Sequence, residues 1–407
     1  MNFIQKKIKS IAISDDEKPD YILFLLASIL IIISMIFSYS LSIYTVDYFD
    51  YNQFHFFIRQ LFVGILAILI MWTLAHIKPE QLFINFRLGW WLFVLFLFLM
   101  IIMHFLPASM VTASGGANRW IRLPGFSLAP VEFFKIGFIY FLAASFHKKF
   151  TDLEKVTFKE ELKLLAPYAV VFGFVVFLIA VLQKDLGQVV LLASILFIML
   201  IFANRSVKVF LSLIGAAVLG IFVLIFIAPH RVNRLQSWWS SIQDSILAIL
   251  PDFMESALRV KDFPEPYQVA NSLNAIHNGG WFGVGLSNGE LKLGFLSEVH
   301  TDFVLAGITE EIGLFGLLII LVLLFTVIFR ILRTSRRVKD TKYHLFSLGI
   351  ALMISISFLI NSYGISGIIP IKGIAVPFLS YGGSSILALS IAVGMVLSIS
   401  NSIKFDK

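Results

Sequence analysis

The chain has 407 residues, 58% of them hydrophobic and 14% charged, with no cysteine and a formal net charge of +7. Soluble domains average roughly 45–50% apolar and about 25% charged residues, so this composition excludes an ordinary soluble protein, and the absence of thiols excludes disulfides and thiolate metal sites. The excess positive charge is not a nucleic-acid signature either, because most of it gathers in the loops of one side, as membrane topology requires.

Residues 1–20 are of mixed charge and lack the layout of a cleaved signal sequence: the first apolar run is too long and no small-residue cleavage site follows it. Ten apolar runs come next, near 21–45, 57–77, 88–106, 130–146, 164–183, 188–204, 207–229, 302–332, 343–365 and 376–400. At about 1.5 Å per residue, most are long enough to cross a hydrocarbon core of roughly 30 Å as helices. With residues 1–20 inside, the segments on that side carry 21 of the 32 Lys and Arg residues and those on the other side 9, leaving Arg59 and Lys135 within helices. This bias predicts an all-α integral membrane protein of ten transmembrane helices with both termini cytoplasmic. The predicted parts are a cytoplasmic segment (1–20) and a membrane domain (21–407), with a large external loop at 230–301 and a cytoplasmic tail at 401–407.

In chain order, the first candidate residues are Arg119 and Trp120, in the external loop before the fourth run, and Glu132 and Lys135, in that run's first turns. Three residues apart, Glu132 and Lys135 share a helix face and can neutralise each other, as a structural ion pair or as part of a site. Asp185 sits in the tight turn from Gln183 to Gly187, where it either caps the next helix or joins a site. His230, Arg231 and Arg234 open the large loop; such arginines anchor lipid headgroups, and their planar fork also suits a pyrophosphate. Trp238, Trp239, Ile242, Ile246 and Leu250 then recur at helical spacing, which predicts a helix either lying in the outer interface or packed on the top of the bundle.

The stretch from Asn278 to Leu314 closes that loop and enters the eighth run. Its glycines at 279, 280, 283 and 285 match neither nucleotide-binding pattern, so they mark tight turns where the backbone lies close to something. Asp302 begins the eighth helix, where a capping role is the bland explanation. With Glu298, His300 and Thr301 beside it at a membrane boundary, it has the layout of a general base in tuned surroundings. Glu310 stands about 12 Å further along the helix axis, too far for a hydrolytic pair, so Glu310 and Glu311 are expected to bond polar groups inside the bundle. Near the end, Pro370-Ile371-Lys372-Gly373 and the stretch from Pro377 to Ser385 bring Pro, Gly and hydroxyls into an apolar helix, which is tolerated where protein or a cavity satisfies the backbone.

These motifs resemble the SEDS family, the FtsW and RodA proteins of bacterial division and elongation. The resemblance rests on Arg119-Trp120-Ile121, Pro130, Glu132 through Lys135, Asp185-Leu186-Gly187, Tyr267-Gln268, Gly279-Gly280 with Gly283, Glu298 through Phe303, Glu310 through Gly313, and Pro377 through Ser385, all in the family's order. It implies a peptidoglycan glycosyltransferase that joins lipid II units at the outer face of the cytoplasmic membrane. Its partners would be a class B penicillin-binding transpeptidase and other divisome membrane proteins, not nucleic acid. The family's catalytic aspartate falls on Asp302, as base on the acceptor sugar's 4-hydroxyl, with inversion and loss of undecaprenyl pyrophosphate. Substrate contacts are expected at Arg119, Glu132, Lys135, Asp185, Arg231, Arg234, His300, Thr301, Lys372 and Ser380, with Arg231, Arg234 and Lys135 facing the leaving pyrophosphate and Glu310 and Glu311 structural. No cofactor is expected beyond a divalent cation, Mg2+ or Mn2+.

Departures from the family pattern are Lys184 and Gln188 around the Asp-Leu-Gly turn, Val131 before the glutamate, Asn118 before Arg119, and the segment from Ser237 to Pro266. Lys372-Gly373 and Ser384-Ser385 lean towards the FtsW branch, hence septal wall synthesis in the inner membrane. The rivals are an elongation polymerase of the RodA type, a lipid II flippase and a non-catalytic scaffold. The flippase would draw on the deep Glu310 and Glu311; the polymerase is favoured by charges clustered at the external edge.

Overall fold

Apolar runs become helices here wherever caps and breakers bound them, and each of the ten predicted runs holds one. The computed structural model describes residues 18–402 apart from 108, 115–116, 124–125, 151–156, 204–206 and 261–265. In chain order the helices are α1 (Tyr21–Leu41), α2 (Ile43–Tyr48), α3 (His55–Ala75), α4 (Leu88–Ile102), α5 (Pro130–Phe150), α6 (Phe158–Val176), α7 (Leu186–Phe202), α8 (Val207–Phe226), α9 (Pro229–Leu247), α10 (Asp252–Leu258), α11 (Tyr267–Gly279), α12 (Val304–Arg337), α13 (Thr341–Ile365) and α14 (Gly383–Ser400). Pro130 opens α5 with Glu132 in its first turn and His147, Lys148 and Lys149 in its last, charges that suit the helix dipole at each end. A capping box between Thr157 and Glu160 starts α6. The tenth run is helical only from Gly383, because Pro377 and the glycines at 382 and 383 keep 376–382 out of the helix.

Among the described residues, seven helices are long and apolar enough to cross a membrane, and eight if α8 and α9 form one bent span; α7, with 17 residues, is a shorter apolar helix. The chain is thus a multi-pass membrane protein. Helices α13 and α14 are its most buried spans, whereas α3, α4 and α12 turn large apolar side chains outward, as lipid-facing helices do. Helix α14 packs along α3, α4 along α5, and α12 against α13, α1 and α11. At one end of the bundle Arg330 clasps Asp20 through Nε (2.9 and 2.7 Å) while the Asp20 amide donates to Ser400 Oγ (3.0 Å). The start of α1 and the end of α14 therefore meet on the same side.

One feature departs from the all-α expectation. Residues 111–128, read from sequence as plain loop, form an antiparallel meander of β1 (Val111–Ser114), β2 (Ala117–Leu123) and β3 (Phe126–Leu128). Their β-branched and aromatic content suits a strand, and Ile121 and Val111 pack on Met103 beneath it. The predicted interfacial helix is α9, bent 103° from the preceding apolar helix. Trp238 Nε1 donates to Gly367 O at 2.8 Å, so α9 also packs on the bundle.

The largest irregularity is inside α12. Gly313 (φ 70°, ψ −177°) breaks the helix, and the glycine-rich turn after α11 fills the gap. Val284 and Gly285 amides donate to Glu310 O and Glu311 O (3.0 and 2.9 Å), and the Leu314 and Phe315 amides donate back to Gly280 O and Trp281 O (2.9 and 3.1 Å). This meets the rule that non-helical backbone at membrane depth must be satisfied by protein. The glycines that the sequence marked as close approaches lie against the α12 backbone: a Cβ at Gly283 would collide with Glu311 O, and one at Gly313 with the Gly283 amide. Gly313→Ala combines that collision with a backbone region essentially reserved for glycine. It is expected to destabilise the protein by at least about 1–3 kcal/mol, read as a lower thermal midpoint in detergent.

Candidate active site

Four segments distant in sequence meet at the end of the bundle opposite Asp20: the β-sheet, the 183–187 turn, the 298–303 turn and residues 370–382. Strand β2 delivers Arg119 through a bulge. Thr112 pairs with Trp120 and Ala113 with Asn118, so Arg119 is the extra residue, and bulges commonly re-aim a side chain in this way. Arg119 Nε forms an ion pair with Asp185 Oδ2 at 3.1 Å. Asp185 also caps α7, accepting from the Gln188 amide at 3.3 Å through Oδ1 while Oδ2 meets Arg119.

The turn that carries Asp302 is fixed carbonyl by carbonyl. Tyr381 N donates to His300 O (2.8 Å), Ser380 Oγ to Thr301 O (2.7 Å), and Asn361 Nδ2 to Asp302 O (2.7 Å). Glu298, at φ 56°, accepts from the Thr301 and Asp302 amides (both 3.1 Å). The His300 ring packs between Phe56 and Tyr381, and burial lowers its pKa. Asp302 stands two residues before α12 and does not cap it; the cap position is Phe303. Its main chain is held while its carboxylate is left to the site. A Cβ on Gly373 would sit 2.8 Å from Asp302 Oδ2 and 3.5 Å from Arg119 Nη1. Gly373 therefore lies against the carboxylate without a side chain between it and Arg119, whose guanidinium reaches from Asp185 towards Asp302.

Beside this group lies a cavity of about 70 Å³ lined by Arg119, Lys184, Asp185, Arg231, Arg234 and Lys372 among others, five cations to one anion. Burial, Arg234 and Arg231 lower the Lys372 pKa. Burial raises that of Asp185 against the pull of Arg119. The Asp302 carboxyl is pushed up to about 6, chiefly by burial and by Glu298, with Arg119 opposing.

With this geometry in place, comparison with known proteins is decisive. The family model described as "Cell cycle protein" (FtsW, RodA, SpoVE) matches residues 20–404. The chain belongs to the FtsW/RodA/SpoVE family. Among its relatives, "Probable peptidoglycan glycosyltransferase FtsW" of Helicobacter pylori strain 26695 is 50% identical over 376 residues, covering 92% of this chain and 96% of the relative. "Stage V sporulation protein E" of Bacillus subtilis is 30% identical over 384 residues, covering 94% and 97%. Two solved structures share the fold: a chain from "Structural coordination of polymerization and crosslinking by a peptidoglycan synthase complex" (TM-score 0.68, 20% identity, 94% of this chain and 98% of that one), and the Thermus thermophilus "Rod shape determining protein RodA" (0.63, 19%, 95% and 98%).

Within this family member, the residues predicted from sequence fall into three groups. Arg119, Asp185, Arg231, Arg234 and Lys372 line the cavity, with Asp302 adjoining it through Gly373. His300, Thr301 and Ser380 build the turn under Asp302 instead of lining the cavity. Glu132 and Lys135 lie further in, paired at 2.9 Å and linked to α7 by Gln188 Nε2 (3.3 Å to Glu132). Lys135 thus faces Glu132 and a small cavity beside Ser357 and Ser385, away from the cationic one. The Arg231 guanidinium is engaged as well, donating to Leu224 O (2.6 Å) and to Ala180 O, where it caps the bend between α8 and α9. Arg234, Lys184 and Lys372 form no ion pair among the described residues.

Sequence reasoning missed Gly373, Asn361 and Lys292. Only Lys292 left a signal, as a lone lysine among glycines and apolar residues upstream of two membrane carboxylates that needed a partner. A protein-held Mg2+ or Mn2+ does not fit these residues. Among the described residues no three His, Asp or Glu side chains gather, and Arg119 fills the space flanked by Asp185 and Asp302. Carboxyl infrared titration of wild type against Asp302→Asn should give an Asp302 midpoint near pH 6. Glu298→Gln should lower the midpoint and Arg119→Gln should raise it, since those side chains respectively raise and lower it now.

Proposed function

We propose that this protein is a peptidoglycan glycosyltransferase that polymerises lipid II into glycan strands, for septal wall synthesis. The observation that carries the reading is the Asp302 carboxylate, set against Gly373 and near Arg119 at the rim of a cationic cavity. In this reading Asp302 takes the proton from the acceptor sugar's 4-hydroxyl. The oxygen forms its bond to the anomeric carbon of the growing chain from the face opposite the pyrophosphate, and the bond from that carbon to the pyrophosphate oxygen breaks, with inversion. Arg234, Lys184 and Lys372 receive the negative charge released on the leaving group, as preorganised cations do, and Asp302 returns its proton to solvent. Arg119 holds the two aspartates apart and favours the ionised base. Glu132 with Lys135 supports the start of α7, and Arg231 fixes the cationic wall.

The same reading has ten spans with both termini in the cytoplasm, supported by the Lys and Arg bias and by the meeting of residues 20 and 400. It puts the site on the outer face of the inner membrane at the division septum and makes a class B penicillin-binding transpeptidase the partner, in line with the complex whose fold this chain shares. The flippase alternative loses support, since Glu310 Oε1 accepts three hydrogen bonds from protein and Glu311 is held by Lys292 and Ser40.

The test is polymerisation of labelled lipid II by the purified protein with its cognate transpeptidase acylated by a β-lactam. Wild type is expected to make strands, and Asp302→Asn to make none while folding and binding its partner. Normal strands from the variant would remove Asp302 from the chemistry; movement of lipid II across vesicles without strands would favour transport. Because a base works only when ionised, kcat/KM is expected to fall as pH drops through about 6. A carboxyl whose pKa is raised on folding costs stability above its unfolded value, so Asp302→Asn should raise the thermal midpoint at neutral pH and lose that advantage near pH 4.

A further inference from the structure

The 24 residues from Gly280 to Phe303 contain no helix or strand, yet they carry Asp302 into the site. Their path is set by two carboxylates of α12. Glu310 Oε1 accepts from Asn278 Nδ2 (2.9 Å), the Glu290 amide (2.9 Å) and the Leu291 amide (3.1 Å). Glu311 Oε1 takes Lys292 Nζ at 2.5 Å, and both its oxygens accept from Ser40 Oγ of α1 (2.5 and 2.6 Å). The Lys292 and Glu311 side chains are 1% and 0% exposed. Every one of these protein donors except Ser40 comes from 278–292, so the carboxylates are committed to one segment.

We infer that Glu310 and Glu311 are positioning residues for Asp302: through Lys292, Ser40, Asn278 and the amides of Glu290 and Leu291 they seat the 280–303 segment against the break in α12. The inference rests on the reading of Asp302 as base. A buried ion pair is a poor source of stability, and apolar residues of similar shape usually do as well or better. What an ion pair supplies and apolar packing does not is register, and register matters here. The turn at 298–303 is tied at its far end to residues 361–381; its near end is held by α11, through Asn271 Nδ2 on Phe295 O (2.8 Å) and Gln268 Nε2 on Ser297 Oγ, and behind those two bonds by this clamp. A displacement of about 1 Å at a reacting group can cost on the order of 100-fold in rate.

The experiment compares wild type, Lys292→Met, and Lys292→Met/Glu311→Gln, measuring thermal midpoint, polymerisation kinetics and amide hydrogen exchange in detergent. The single variant leaves Glu311 buried without its cation and is expected to be unstable. The double variant has no unpaired buried charge, so its midpoint should recover towards wild type. If the pair positions Asp302, the double variant keeps kcat at least about tenfold low with KM within about twofold, consistent with a base displaced while binding survives. Amides of 286–303 should exchange at least about tenfold faster, with α13 and α14 unchanged. Recovery of kcat together with stability would overturn the inference, as would unchanged exchange over 286–303. If wild type makes no strands, the polymerase reading fails, and the exchange arm, which needs no turnover, still decides whether the clamp holds the segment.

Discussion

The break in α12 at Gly313 is the constraint on which the rest of the distal face depends. A helix interrupted inside an apolar bundle frees backbone groups that no water can reach, and each costs several kcal/mol if left alone. The glycine turn after α11 meets that demand with four backbone hydrogen bonds. Once it is inserted, the chain between Gly280 and Phe303 must return along α12. Glu310, Glu311 and Lys292 occupy the inner side of that return, and the turn bearing Asp302 completes it. The stretch that read from sequence as a polar external loop keeps an exposed outer side, while Lys292, Leu296, Val299, His300 and Phe303 are buried against the bundle.

Electrostatics then explains why the two aspartates differ. Asp185 caps α7 and pairs with Arg119, while Asp302 has its backbone carbonyl bonded and its carboxylate in no ion pair among the described residues. One guanidinium reaches towards both, so it cannot neutralise both. Burial and Glu298 outweigh its pull on Asp302, whose pKa rises to about 6. Such a value keeps the group ionised at neutral pH yet basic enough to take a proton, the compromise expected of a general base.

Much of this was legible in the sequence because its causes are local. Hydropathy and charge placed the ten runs, and each of them holds a helix. Intramembrane Glu310 and Glu311 had to find donors, and they did. The unread parts are those that local pattern does not encode. The bulge at Arg119 depends on strand pairing, which turns a stretch read as loop into the central strand of a small sheet. Arg231 looked like a phosphate ligand because its sequence neighbours say nothing of the carbonyls of Leu224 and Ala180. Gly373 carries no chemistry of its own; it matters only because the fold brings residue 302 beside it.

The cavity's two walls come from parts of the bundle with different mechanical character. The acid side is pinned by Asn361, Ser380 and Tyr381 from one direction and by the α12 break from the other. The cationic side is carried by α9, which leaves α8 at 103° and is held there by Arg231 and by the Trp238 indole on Gly367. Helix α12 connects the first wall to the Asp20–Arg330–Ser400 cluster at the opposite end of the bundle. A charged group anchored at both ends of one helix has little freedom to relax towards its counter-ion. Asp302 stands against Gly373 with Arg119 nearby, and among the described residues the two form no salt bridge.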